Sequence, residues 1–242
     1  MKNIEIQVKE LIGYYPNLQI IKEDNEGFLL NGEIFINAKN NNIQLADYFD
    51  IEIEILKKFP DRLPRIKENS NKISKKFEHV NHDGTLCLAI NTEMMLYIKN
   101  NPNLSAWFNK YVVDFFYTVI YFNKYGVAPF GERAHGIEGI VQFYKEYFEE
   151  RNIIRVYKLL EMVVHNKIKG HYLCVCSSGK KCRCCHFGKL IKLYGIEEVK
   201  KDFVLIEKVI KLLNKRKKKD FVIYPYTNEK IKEVLKIDKR NC

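Results

Sequence analysis

Five of the seven cysteines of this 242-residue chain fall within the run CVCSSGKKCRCC, as Cys174, Cys176, Cys182, Cys184 and Cys185, with His186 directly behind. The competing readings of such a cluster are disulfides, free thiols or a metal site. The N-terminal segment MKNIEIQVKELI lacks the uninterrupted apolar core of a secretion signal, so a cytoplasmic, reducing location is expected. In that setting clustered thiols favour metal over disulfides. Soft and borderline ligands set this closely on a tight Ser-Gly turn suit tetrahedral zinc in a closed, structural site.

With 46% apolar residues the chain has the composition of a folded protein. Two domains are expected, 1–150 and 151–242, with the linker at 149–152, where charge interrupts the pattern. No run of apolar residues is long enough to span a membrane. The net charge of +11 and pI near 9.1 do not mark a nucleic-acid binder. The lysines are scattered, and the one dense block, Lys215-Arg216-Lys217-Lys218-Lys219, reads as a solvated helix end.

Residues 3–12 place Ile4, Val8, Leu11 and Ile12 on one helical face. GFLLNGEIFIN (27–37) and DYFDIEIEIL (47–56) read as strands of an antiparallel hairpin joined by a loose polar loop. The prolines of FPDRLPRI bar a central strand, so 59–66 is expected to be a rigid connection into a short edge strand at 65–67. A long helix follows Pro102, with Trp107, Phe108, Tyr111, Val112, Phe115, Phe116 and Val119 along one stripe, and stops at Gly126. Further helices are expected at 137–150, 153–165, 196–215 and 229–235.

Between these elements lies FEHVNHDGTLCLAI, where Cys87 stands far from the other cysteines. A thiol becomes a nucleophile when it is accessible and its thiolate is stabilised; an imidazole, turn amides or an amide side chain serve acyl transfer there. His79, Asn81, His82 and the Asp83-Gly84 turn all lie within eight residues of Cys87, and the turn folds the chain back toward the sulfur. The plainer reading is a polar loop beside a core cysteine. His135, flanked by glycine in GERAHGIEG, is either a second imidazole for the thiol or a helix-entry packing residue.

The order of elements and motifs resembles the ubiquitin-conjugating-enzyme-like (UBC-like) family. Phe59-Pro60 with Pro64 is similar to that family's Tyr-Pro…Pro-Pro segment. His79-Val80-Asn81 is similar to its His-Pro-Asn motif, with Val80 replacing proline, and Gly84-Thr85-Leu86-Cys87-Leu88 to its Gly-x-x-Cys-Leu pattern. The resemblance covers 1–150. It implies an α+β fold with a four-stranded antiparallel meander flanked by helices, a thioester on Cys87, Asn81 stabilising the oxyanion or positioning the loop, and His79 or His135 orienting or deprotonating. The loop from Asn81 to Cys87 is shorter than the usual eukaryotic one, a Trp-Ser-Pro element is absent, and PFGERAHGIEGIVQFY replaces the usual C-terminal helices. In these respects the chain looks more like the bacterial UBC-like proteins of antiphage operons, including those beside cGAS-like nucleotidyltransferases (CBASS). That likeness implies a protein acyl donor, such as a ubiquitin-like protein or the nucleotidyltransferase, with an activating enzyme as a further partner.

The run 174–186 resembles the SEC-C motif, Cys-x-Cys-x8-Cys followed by Cys or His. The match implies Cys174, Cys176, Cys185 and His186 as ligands of a structural zinc in a small helical C-terminal extension, with Cys182 and Cys184 surplus and able to compete. The function expected is therefore cysteine-dependent protein conjugation in bacterial antiviral defence. Its rivals are a Cys–His thiol hydrolase that removes conjugates and a non-catalytic zinc-containing adaptor for protein or nucleic acid.

Overall fold

α1 (Ile4–Tyr14) starts at Asn3, whose side chain accepts from the Glu5 N–H in a helix-capping bond. It buries Val8 and Leu11. The computed structural model describes residues 3–129, 134 and 136–217. β1 (Gln19–Glu23), β2 (Gly27–Asn40), β3 (Ile43–Leu56) and β4 (Arg65–Glu68) follow as one antiparallel sheet in the order β1-β2-β3-β4. The fold is α+β, and the sheet is a meander.

Apolar alternation explains the two long strands. Leu30, Ile34 and Ile36 of β2 and Phe49, Ile51 and Ile53 of β3 share the inner face and are at most 1% exposed. The connection expected as a loose loop over 38–46 is instead two residues long. Asn41 and Asn42 both take positive φ (44° and 64°), and a turn of that hand matches the twist of paired strands, so pairing continues to Asn40↔Ile43. The resemblance implied four strands, but the residues of β1 were not located: all five are exposed, and a strand with no buried face leaves no period in the sequence.

After β4 come α2 (Asn91–Asn100) and α3 (Leu104–Trp107). α3 runs through one π-helical segment, Phe108–Val113, into α4 (Asp114–Tyr125), which stops at Gly126 in a left-handed conformation. The expected long helix is thus present with a π insertion. Gln7 Oε1 accepts from the Leu104 N–H at 2.8 Å, tying α1 to the start of α3. α4 lies on the inner face of the sheet, with the Phe116 ring 4.3 Å from that of Phe49.

The second unit holds α5 (Gly136–Phe148), α6 (Ile153–Val164), α7 (Phe187–Leu193) and α8 (Glu197–Lys217). The two compact units are Met1–Glu132 and Arg133–Cys242, so α5 belongs to the second, not to a domain ending at 150. The reason is its apolar face. Val141, Tyr144 and Phe148 are buried as α5 packs on α6 and α8, and the buried Tyr144 hydroxyl donates to Asp202 of α8 at 2.9 Å. The helix expected at 229–235 lies outside the described residues. No helix among the described residues is long and apolar enough to cross a membrane.

Candidate functional site

Residues 79–87 form a small hairpin. The Asn81 N–H donates to Thr85 O (2.8 Å), the Cys87 N–H donates to His79 O (2.8 Å), and Val80 pairs with Leu86. Its three-residue loop, His82-Asp83-Gly84, closes with the Gly84 N–H donating to Asn81 O at 2.9 Å. Gly84 sits at φ 80°, a conformation that favours glycine and completes a type I turn with a bulge.

The hairpin is anchored to the sheet. Leu86 N–H donates to Ile66 O at 2.8 Å, and Lys67 pairs with Thr85. β4 is therefore not the bare edge the prolines suggested, because the cysteine segment adds to it.

This register has a chemical consequence. Cross-strand pairs are 79 with 87 and 81 with 85, and side chains alternate along each strand, so His79, Asn81, Thr85 and Cys87 share one face. On that face Asn81 Nδ2 donates to Thr85 Oγ1 at 3.0 Å. The His79 ring packs at a tilt against Phe77 (4.6 Å between centroids) and meets the edge of Phe115 on α4 (6.3 Å). Phe77 in turn packs on Phe115 and Phe122, so an aromatic floor holds the imidazole.

Cys87 is half-buried, and burial pushes its thiol above the ordinary cysteine value. Three of the four residues expected at the site, Cys87, Asn81 and His79, come together on the hairpin. His135 lies outside the described residues.

Sequence reasoning passed over the hairpin's supports. Asp83 Oδ1 accepts from both the Thr85 N–H (3.0 Å) and the Thr85 hydroxyl (2.6 Å), while Arg65 Nη2 donates to Asp83 Oδ2 at 2.5 Å. Thr85, first, and then Arg65 hold the Asp83 carboxyl below the usual range. The Asp-x-Thr spacing was a local signal for the first contact. Arg65, eighteen residues away, had none.

In the second unit the run 172–186 folds as a knuckle. Cys174 N–H donates to Lys180 O and Cys182 N–H to Tyr172 O, both at 2.8 Å, around a turn with Ser177 and Gly179 at positive φ. A short 3-10 turn, Cys182–Cys184, then leads into α7 at His186. Cys174, Cys176, Cys185 and His186 bring their ligand atoms within 4.8 Å of one another. His186 Nδ1 is 3.3 Å from Cys174 Sγ and 3.1 Å from Cys185 Sγ, and Cys176 Sγ is 3.5 Å from Cys185 Sγ.

The edges of a tetrahedral Cys3His site are about 3.5–3.8 Å for zinc-like bond lengths, so these four donors can hold a metal ion. A second observation fits. His186 Nε2 lies 2.9 Å from Phe148 O at the end of α5; donating there fixes the tautomer that turns the Nδ1 lone pair into the cluster. Burial pushes the Cys174 thiol up to about 12. It opposes ionisation of Cys176 too, but the Ser178 hydroxyl and N–H, together with Cys174 and Cys185, outweigh it and bring that thiol down to about 6. Cys182 is fully buried and Cys184 exposed, and neither belongs to the four-donor set.

No family model matches the chain, and neither the curated proteins nor the solved structures include a match to it.

Proposed function

We propose that the protein is a cysteine-dependent acyl transferase of the ubiquitin-conjugating-like kind, with Cys87 carrying the acyl group of a protein C-terminus as a thioester. The observation that carries this reading is the register of the 79–87 hairpin, which gives His79, Asn81, Thr85 and Cys87 one common face. A core cysteine needs neither an amide nor an imidazole beside it. The antiparallel meander leading into that hairpin agrees with the UBC-like resemblance.

In this reading Cys87 attacks the donor's carbonyl, Asn81 supplies a hydrogen bond to the oxyanion, and His79 orients the thiol or takes its proton. The state of the thiol favours a carrier over a hydrolase. Cys–His hydrolases keep their thiolate stabilised by the imidazolium, whereas burial raises Cys87. The donor is a ubiquitin-like protein or a nucleotidyltransferase of an antiviral operon, delivered by an activating enzyme. The knuckle binds one structural zinc, with Cys174, Cys176 and Cys185 as thiolates and His186 through Nδ1. When bound, the ion supplies folding energy to the second unit rather than chemistry at Cys87.

The test is made in the host that encodes the protein. The wild type is expected to show an adduct that reductant removes, and Cys87→Ser an adduct that resists reductant or none. A Cys87→Ala protein that still yields conjugates would leave the adaptor reading in place.

A further inference from the structure

On the reading of Cys87 as an acyl carrier, we propose that Asp83 and Thr85, braced by Arg65, form a relay of hydrogen-bond polarity that decides which way the Asn81 carboxamide faces. Asp83 and Thr85 are then positioning residues for acyl transfer.

The argument follows from donor and acceptor counts. An ionised carboxylate only accepts. Asp83 Oδ1 takes the Thr85 hydroxyl at 2.6 Å and the Thr85 N–H at 3.0 Å, and Oδ2 takes Arg65 Nη2 at 2.5 Å. Thr85 has one hydroxyl proton, and Asp83 holds it. Its Oγ1 is left with lone pairs alone, so Asn81, 3.0 Å away, must turn Nδ2 toward it and not Oδ1. The other carboxamide orientation would set two acceptors against each other.

An amide nitrogen carries two protons. One is held by Thr85, and this fixes the plane in which the second projects, on the face shared with Cys87. The Arg65–Asp83 pair is more than half exposed on both sides, 56% and 54%, so it adds little stability; what it supplies is position.

The electrons show where that proton matters. The Cys87 thiol gives its proton to solvent, by way of His79 where that imidazole acts as base, and the thiolate attacks the carbonyl carbon of the incoming thioester. A C–S bond forms, and the carbonyl π pair moves onto oxygen. Collapse of the oxyanion restores C=O and expels the donor thiolate, which takes a proton from water. The Asn81 N–H meets the transient charge on oxygen, whereas a reversed carboxamide would offer that charge an acceptor.

The full-length protein is treated with the 2-mercaptoethanesulfonate thioester of N-acetyl-glycylglycine, and acylation of Cys87 is followed by peptide mass mapping. Alkylation of Cys87 by iodoacetamide, which forms no oxyanion, is measured in parallel. Asp83→Asn is nearly isosteric but puts an N–H where the carboxylate had an acceptor, so either the Thr85 donors or Arg65 loses its partner, and the hold on the Thr85 hydroxyl or its brace is broken. Asp83→Asn and Thr85→Val are expected to slow acylation about 10-fold or more. Alkylation should stay within about 2-fold of wild type, as should both reactions of Thr85→Ser. Added to Asn81→Ala, Asp83→Asn should cost nothing further. If Asn81→Ala is slow while Asp83→Asn and Thr85→Val acylate normally, the relay is wrong and the acyl-carrier reading stands. If acylation and alkylation fall together in the variants, the relay is only scaffolding and the proposal fails. A wild-type chain that is never acylated at Cys87 removes the carrier reading, and the relay with it.

Discussion

Position 87 combines two opposing demands. The thiol has to ionise to attack, yet its half-buried setting raises its pKa. A raised value means a smaller thiolate fraction at neutral pH than an ordinary cysteine has. Alkylation of Cys87 should therefore climb about tenfold per pH unit from 7 and keep climbing through pH 9, the ordinary value. Rates mapped to the Cys87 peptide that level off below pH 8 would mean that the free chain already stabilises the thiolate. Cys87, Asn81 and His79 were legible because residue type and spacing within nine positions carried them. Thr85 had a local signal in the Asp-x-Thr spacing that was passed over, whereas Arg65 had none, since only the fold brings it to Asp83.

At the scale of elements, the hairpin owes its register to its turn. Gly84 has φ 80°, and a Cβ there would meet nothing within 4 Å, so Gly84→Ala carries a backbone penalty alone. It should destabilise the first unit by about 1 kcal/mol and slow acylation of Cys87. Urea denaturation followed by tryptophan fluorescence reads the first effect, since Trp107 is the single tryptophan and is fully buried in that unit. An unchanged midpoint would mean that the turn tolerates a side chain. Strands with a buried face and helices with an apolar stripe could be read directly. Exposed β1 gave no period, α2 was missed, and the tight Asn41-Asn42 turn passed for a loop because either asparagine is equally at home in both. The division between units was placed late for a related reason: the apolar face of α5 is visible in sequence, but the partner it buries against is not.

For the molecule as a whole, the knuckle gathers three chain segments: the turn at 174–176, the start of α7 and, through Phe148 O, the end of α5. Metal should be bound at one ion per chain, and Cys174→Ser should lose it. Cys184→Ser should keep it, because Cys184 is exposed and outside the four donors. Elemental analysis of the purified variants decides this, and loss of metal from Cys184→Ser would overturn the ligand set. Cys174→Ser should also loosen the second unit while leaving tryptophan-monitored unfolding of the first unit in place. The motif spacing disclosed this ligand set before the fold did, because its donors are close in sequence. The orienting contact of Phe148 O, thirty-eight residues from His186, was invisible there.

Cys87 and Cys184 together offer the most direct test of the account. Cys184 is exposed and outside the metal set, whereas Cys87 is half-buried with a raised pKa; on accessibility alone, Cys184 should react first with any acyl donor. If the hairpin is built for acyl transfer, the order reverses. Mass mapping of the full-length protein early in its reaction with the diglycyl thioester should find the acyl group on Cys87 ahead of Cys184, and free lysine should then remove it as an amide. Acylation that falls on Cys184 first, or on Cys87 no faster in the wild type than in Asn81→Ala, would contradict the acyl-carrier account.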